Sequence, residues 1–147
     1  MSIGAVMYRT GTAKASELGG LFRSMPYTAI FCLIGAASIA AVPLFAAFVT
    51  KAMILAAAVY EHHTLAFLMM LFASAGVMEH SGIKVPHFTF FAHDSGRRVK
   101  EAPWNMLAAM SIAAFFCIYL AWPVGGFENL YALMPFEMDK PLSLIHI

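Results

Sequence analysis

The chain has 147 residues, of which 61% are apolar and 12% are charged, and its mean hydropathy is +0.77. A soluble domain of this length cannot bury so much apolar surface in one core, so the composition predicts an integral membrane protein in a lipid bilayer. The net charge of +1 argues against nucleic acid as a partner.

The first part of the chain predicts a helical stub followed by a long uncharged stretch. Residues 1–8 are apolar but lack the basic start of a signal peptide, so we interpret them as the end of a helix that begins upstream. Between Arg23 and Lys51 there is no charged residue. This stretch is long enough to cross the hydrocarbon core of a bilayer.

Pro43 divides the uncharged stretch into two predicted spans. A proline inside a helix removes one backbone hydrogen bond and clashes with the preceding turn. We therefore expect span A over residues 26–42, with Ser24 as its N-cap. Span B is expected over residues 44–60, before the polar sequence Glu61-His62-His63.

Two further spans are predicted in the second half of the chain. Span C begins at residue 64 and is uncharged to residue 78. Ionisable residues and helix breakers then follow, namely Glu79, His80, Gly82, Lys84 and Pro86. We expect either a broken span or a span followed by an interfacial piece at residues 88–92. Span D covers residues 102–123, with aromatic residues toward its ends.

These spans predict an all-α integral membrane fold with about four transmembrane helices, one of them broken, plus the N-terminal stub. Basic residues cluster in two loops, at 9–23 and 97–100. Three crossings between the loops would place them on opposite faces, so the positive-inside rule does not decide the orientation.

Lys51 is the strongest candidate for chemistry. It lies near the middle of span B, at about 10–14 Å from either end, whereas a lysine side chain reaches only about 6 Å. None of its neighbours on the same helix face is a counter-ion, so a partner must come from another helix or from buried water. Burial favours the neutral amine, so Lys51 could exchange protons. The alternative is a lysine in a shallow or tilted helix that reaches water.

Glu79, His80 and Lys84 form a second candidate group. His80 and Lys84 are four residues apart and share a helix face, with Glu79 beside them. They form either a polar relay leading inward from one membrane face or the interfacial end of span C.

The sequence gives little support for a metal site, a nucleotide-binding site or covalent catalysis. The histidines that suggest a metal site lack the spacing of a ligand set and mostly lie at span ends. They are His62, His63, His80, His87 and His93. Residues 11–16 lack the glycine–lysine pair of a P-loop, and Cys32 and Cys117 fit small buried hydrophobic residues. No nucleophile–base pair is visible, and we expect no cofactor.

Three motifs carry a family resemblance. They are Met1-Ser-Ile-Gly-Ala-Val-Met-Tyr-Arg-Thr-Gly-Thr12, Glu17-Leu-Gly-Gly-Leu-Phe-Arg-Ser-Met-Pro-Tyr27 and Pro43-Leu-Phe-Ala-Ala-Phe-Val-Thr-Lys51. They resemble a helix end, an L-G-G-L-x-x-x-M-P linker and a P-x-x-x-x-F-x-x-K motif at a broken helix. These features are found in the antiporter-like subunits of respiratory complex I, membrane-bound hydrogenases and multisubunit (Mrp-type) cation/proton antiporters. Ser81-Gly-Ile-Lys-Val-Pro86 and the segment from Asp94 to Asn105 are most similar to the D-type subunits of Mrp antiporters.

The resemblance implies that residues 1–141 are the C-terminal part of a larger proton-conducting subunit. Its lysine in the P-x-x-x-x-F-x-x-K motif belongs to the proton path, and Lys51 matches it. It also implies other membrane subunits as partners, protons and Na⁺ as the ions, and a bacterial inner membrane. The family's preceding helices, with their acidic–lysine pair, are expected upstream.

Two questions remain open at the level of sequence. The last six residues, Leu142-Ser-Leu-Ile-His-Ile147, match the translation of a common transposase adapter, so we expect a non-native tail. The preferred function is ion translocation in a cation/proton antiporter. The alternatives are a proton-pumping subunit of an NADH-quinone oxidoreductase or hydrogenase complex, and a nonfunctional gene fragment.

Overall fold

A computed structural model describes residues 1–14 and 17–122 of the chain. These residues form helices, and no strand occurs among them. We number the main helices α1 (Ser2–Thr10), α2 (Pro26–Ile39), α3 (Ala46–Tyr60), α4 (Thr64–Phe91) and α5 (Trp104–Tyr119). The predicted tail and the end of span D lie outside the described residues.

Helix α4 is the one helix in the described part of the chain that is long and apolar enough to cross a membrane. Its 28 residues correspond to about 40 Å at the rise of an α-helix. The helices α2, α3 and α5 are apolar but have only 14, 15 and 16 residues. At about 21–24 Å each, they are shorter than the hydrocarbon core of a bilayer, which is about 30 Å thick.

The prediction that span C is broken or ends early is wrong. Helix α4 continues through Gly82 and Pro86 without interruption, but its winding changes. It is α-helical over Thr64–Val77 and π-helical over Met78–Lys84 and again over His87–Phe91. Pro86 has no N–H to donate, and its ring would clash with the carbonyl of Gly82 in a regular α-helix. The wider π-helical turns accommodate this clash, so the proline changes the winding without ending the helix.

The predicted spans A and B correspond to α2 and α3, each shortened where they meet. Helix α2 ends at Ile39 instead of residue 42, and α3 begins at Ala46 instead of residue 44. Helix α3 packs against the Thr64–Val77 part of α4, whereas α2 packs against the Met78–Lys84 part. The two short helices therefore follow one another along the length of α4.

The expectation that the two basic loops lie on opposite faces is also wrong. Arg97 forms an ion pair of 3.4 Å with Glu17, and the Arg9 Nε donates a hydrogen bond of 2.9 Å to the backbone carbonyl of Glu101. The Ser95 hydroxyl donates to the Gly19 carbonyl. The loops lie side by side at one end of the described part of the molecule, which we call the loop face (residues 9–14, 17–25 and 92–103).

Gly19 makes this close approach of the two loops possible. Its φ of 132° lies in a region that other residues rarely adopt, and a Cβ atom at this position would overlap the backbone oxygen of His93. The L-G-G-L motif therefore has a steric basis. A buried apolar cluster beneath the loop face joins α1, α2, α4 and α5; it includes Val6, Leu21, Met25, Phe90 and Met110.

Candidate functional site

The segment between α2 and α3 separates the two helices with a defined pattern of backbone hydrogen bonds. The N–H of Ala41 donates to the Ser38 carbonyl at 3.0 Å, and the N–H of Val42 donates to the Ala37 carbonyl at 3.1 Å. This is the hydrogen-bond pattern of a Schellman C-cap, which needs a left-handed residue. Ala41 takes that conformation, with φ of 58°. Pro43 follows two residues later, where a helix cannot continue.

Lys51 spans this break. Side chains of a helix lean toward its N-terminus, so Lys51, in the second turn of α3, extends back toward the gap. Its Nζ donates a hydrogen bond of 2.6 Å to the backbone carbonyl of Ile39, the last residue of α2. The partner comes from another helix, and it is a carbonyl dipole rather than a carboxylate.

The Ile39 carbonyl is available because of how α2 ends. The last carbonyls of a helix have no intrahelical partner. Those of Ala36, Ala37 and Ser38 accept N–H donors from residues 40–42 of the break. The Ile39 carbonyl instead accepts a hydrogen bond from the Lys51 ammonium. It therefore lies at the partially negative end of α2.

The π-helical part of α4 lies beside the break. A Cβ atom on Gly82 would lie 3.3 Å from the Ala40 Cβ and 3.6 Å from the Ala36 carbonyl oxygen. This contact brings the backbone of α4 against the last turn of α2. π-Helical turns are rare and occur frequently at functional sites.

Glu79, His80 and Lys84 all lie on this part of α4, and their side chains are exposed. Within the described residues they form no ion pair with one another. His80 and Lys84 line a groove of about 490 Å³ whose other walls are mostly apolar and come from the linker, α1 and α4. Leu18 and Phe88 are among its lining residues. The groove thus connects the linker of the loop face with the level of His80.

The structure does not gather the remaining histidines into a site. Among the described residues, no group of three or more potential ligands could hold a metal ion. His62 lies in the turn after α3, where its φ of 56° closes a second helix C-cap. Cys32 and Cys117 are both free and partly buried.

Sequence reasoning missed the role of Glu101. Its carboxylate accepts hydrogen bonds from the backbone N–H groups of Tyr27 at 3.2 Å and Thr28 at 3.3 Å, and from the Thr28 hydroxyl at 2.5 Å. It caps the N-terminus of α2 from a position more than 70 residues later in the chain. The prediction that Ser24 caps α2 is wrong. Met25 occupies the N-cap position, and its side chain makes no capping hydrogen bond. Helix α2 therefore has a carboxylate at its positive end and an ammonium at its negative end.

The Asp94 side chain stabilises the neighbouring loop. It accepts hydrogen bonds from Arg98, at 2.7 and 3.0 Å, and from the backbone N–H of Gly96. The hydrogen bonds from Arg98 and then from Gly96 hold the pKa of the Asp94 carboxyl well below its usual range. This loop is exposed, so the pair contributes to local order more than to global stability.

Comparison with known proteins identifies the class. The family described as NADH:quinone oxidoreductase/Mrp antiporter, TM matches residues 1–78, more than half of the chain. The chain belongs to this family of antiporter-like membrane subunits, and it is an integral membrane protein.

Individual relatives agree with this assignment. The chain is 39% identical over 145 residues to an A-type Na(+)/H(+) antiporter subunit of Alkalihalophilus pseudofirmus, a match that covers 90% of this chain and 18% of that protein. It is 29% identical to a probable A/B-type K(+)/H(+) antiporter subunit of Rhizobium meliloti, over 99% of this chain and 15% of that protein. It is 27% identical to Hydrogenase-4 component B of Escherichia coli, over 82% of this chain and 20% of that protein.

The chain therefore spans at most about one fifth of the length of these relatives. The resemblance to antiporter-like subunits is confirmed. The finer likeness to D-type subunits stays a prediction, since the two antiporter relatives are named as A-type or A/B-type subunits.

Proposed function

We propose that this chain forms part of a subunit that translocates protons in exchange for Na⁺ or K⁺, within a multisubunit cation/proton antiporter of the bacterial inner membrane. Lys51 carries the proton at the break between α2 and α3. The relatives named as K(+)/H(+) and Na(+)/H(+) antiporter subunits support the exchange of protons for K⁺ or Na⁺. Other membrane subunits of the complex are its partners.

The observation that carries this proposal is the hydrogen bond from Lys51 to the Ile39 carbonyl. The ammonium lies in the gap between the partially negative end of α2 and the partially positive start of α3. An ionisable side chain at an interrupted helix within the membrane is the arrangement found at ion sites of transporters.

We infer that α2 and α3 together make one interrupted crossing. Neither helix alone matches the thickness of the hydrocarbon core, and each packs against a different half of α4. In this arrangement the break lies near the middle of the bilayer. Irregular backbone at that depth occurs only where it is buried in protein or lines a cavity, as at ion sites of transporters.

Glu79, His80 and Lys84 provide a relay between the loop face and the break. Ionisable groups within a membrane-spanning helix face protein or water because contact with lipid is costly. The groove beside His80 and Lys84 has the volume for several water molecules. Protons would enter at the loop face and pass along these side chains to the gap that Lys51 spans.

Large apolar side chains on the first half of α4 support the proposal that this helix contacts lipid or another membrane subunit. None of the residues of Thr64–Val77 is buried by the described part of the chain, and Leu65 and Phe72 are each 73% exposed. A surface of this kind is stable only against lipid tails or another apolar helix.

A second function is supported by the family description and by the hydrogenase relative. The same helices could serve a redox-driven proton pump of the NADH-quinone oxidoreductase or hydrogenase type. The two functions differ in what drives the pH change in vesicles. An antiporter responds to added Na⁺ or K⁺, whereas a redox-driven pump responds to an electron donor.

Substitution of Lys51 in the full-length, assembled complex tests the proposal. Alanine has no site to protonate, and arginine is effectively never deprotonated, so both variants should lose cation-driven pH-gradient dissipation. The measurement is the pH gradient of inverted vesicles after addition of Na⁺ or K⁺, normalised by immunoblot to the amount of the protein in the membrane. Near-normal activity of Lys51→Ala would refute the proton-carrier role.

A further inference from the structure

A β-turn lies between the end of α2 and the start of α3. The carbonyl of Val42 accepts a hydrogen bond of 3.2 Å from the N–H of Phe45, with Pro43 and Leu44 between them. The proline ring holds φ of Pro43 at about −65°. The φ of Leu44 is 76°. These angles and the hydrogen bond identify a type II turn, whose third residue needs a positive φ.

Leu44 is an unfavourable residue for this position. Glycine or asparagine usually occupies it, because the Cβ atom of other residues crowds the backbone at a positive φ. The Leu44 side chain does not offset this strain by packing, since it is 62% exposed in the described part of the chain. Such strain persists only where the surrounding structure maintains it, and it is concentrated at functional sites.

The local sequence favours a longer α3. Proline is favoured in the first turn of a helix, so α3 would begin at Pro43 if residues 43–45 took ordinary helical angles. It begins instead at Ala46, and Phe45 at the N-cap makes no side-chain capping bond. The N–H groups of Ala46 and Ala47 have no backbone acceptor among the described residues. In the longer helix they would donate to the carbonyls of residues 42 and 43.

The shorter α3 brings Lys51 within reach of α2. Lys51 is five residues after Ala46, which is about 8 Å at the helical rise. Its side chain reaches about 6 Å and leans toward the start of the helix, where the ammonium meets the Ile39 carbonyl. From Pro43 the distance would be eight residues, or about 12 Å. The ammonium would then lie beside the first turn of its own helix instead of at the end of α2.

We propose that Leu44 is a positioning residue for Lys51 that acts through its backbone: its left-handed conformation sets the start of α3 and so holds the ammonium at the Ile39 carbonyl. This proposal rests on the proposed role of Lys51 and adds a second residue to it. The side chain at position 44 then affects transport through the φ that it permits, and not through its own contacts.

Two substitutions of Leu44 separate the backbone from the side chain. Leu44→Gly removes the side chain but accepts a positive φ without strain. Cation-driven dissipation of the pH gradient in vesicles of the full-length complex should therefore stay within about twofold of wild type. Leu44→Val keeps a similar apolar side chain but is β-branched and rarely adopts this conformation, so the rate should fall at least about fivefold at equal protein.

Leu65→Val is the matched control, because it makes the same change at an exposed position in the first turn of α4. It should leave the rate unchanged. A role of Leu44 in side-chain packing predicts the opposite order, in which the valine variant is active and the glycine variant is impaired. That order would overturn the proposal.

Hydrogen–deuterium exchange of the same complexes shows where α3 begins. In Leu44→Val the N–H groups of Ala46 and Ala47 should gain helical acceptors and exchange more slowly than in wild type, whereas in Leu44→Gly they should not. This measurement does not depend on transport. Equal exchange of residues 46 and 47 in the two variants would contradict a role of Leu44 in setting the start of the helix.

Failure of this positioning role is distinguishable from failure of the proposed function. If Lys51→Ala keeps near-normal transport, the proton-carrier role fails, and exchange at residues 46 and 47 still tests whether Leu44 sets the start of α3. If Lys51→Ala abolishes transport and Leu44→Gly also loses most of it, the positioning role fails and the proton-carrier role stands. The glycine variant gives this answer even if Leu44→Val does not accumulate in the membrane.

Discussion

At the scale of single residues, backbone groups at the ends of α2 decide where charge is placed. Lys51 supplies the donor that the Ile39 carbonyl lacks, and Glu101 supplies the acceptor for two N–H groups at the first turn. Both charges have the sign that the helix dipole favours. Lys51 and Glu101 thus bind the two ends of α2, which packs between α4 and α5.

Replacement of Glu101 by glutamine should destabilise the protein. Glutamine can accept one hydrogen bond at this position but loses the charge that stabilises the N-terminus of α2, so we expect a loss of about 1 kcal/mol. The apparent melting temperature of the purified full-length complex in detergent measures it. Glu17→Gln on the same loop face is the control, since an exposed ion pair contributes little. Equal melting temperatures for the two variants would contradict the capping role.

Sequence could identify Lys51 but not its partner. An isolated charge in a long apolar stretch is visible in the sequence because the cost of burying it is large. The partner is a backbone carbonyl, which every residue carries, so no residue type marks Ile39. Glu101 was equally hidden, because its hydrogen bonds join residues 73 and 74 positions apart.

At the scale of helices, the prolines in the sequence predicted where a helix is disturbed, but not whether it ends there or continues with a different winding. Pro43 marked the interruption between α2 and α3, because no helix continues through that position without losing a bond. The same rule applied to Pro86 predicted a break where α4 instead continues with π-helical winding. The difference lies in the winding, since the π-helical turns on both sides of Pro86 accommodate its ring. Gly82, four residues before the proline, also lets α4 pack closely against the end of α2.

At the scale of the whole molecule, the packing of the two basic loops leads to a prediction of the orientation in the membrane, which the sequence left undecided. The loop face carries six basic residues: Arg9, Lys14, Arg23, Arg97, Arg98 and Lys100. The turn after α3, at the other end of α4, carries no lysine or arginine. For the proposed single crossing of α2 and α3, the positive-inside rule predicts that the loop face is cytoplasmic.

Cysteine labelling of the full-length protein in intact cells tests this direction. Ser95→Cys on the loop face should be protected from a membrane-impermeant thiol reagent, and His62→Cys should react, with Cys32 and Cys117 replaced by serine. A third variant, Thr12→Cys, should behave like Ser95→Cys, because the two basic loops share a face. Labelling of Thr12→Cys but not of Ser95→Cys from outside would instead restore separate crossings for α2 and α3.

Proton transfer through position 51 requires a titratable group at the break. Glutamate and glutamine have the same size at this position, but only glutamate can gain and lose a proton. In inverted vesicles of the full-length complex, Lys51→Glu should retain measurable cation-driven dissipation of the pH gradient, and Lys51→Gln should show none at equal amounts of protein in the membrane. Equal activity of the two variants, whether both active or both inactive, would contradict proton transfer through position 51.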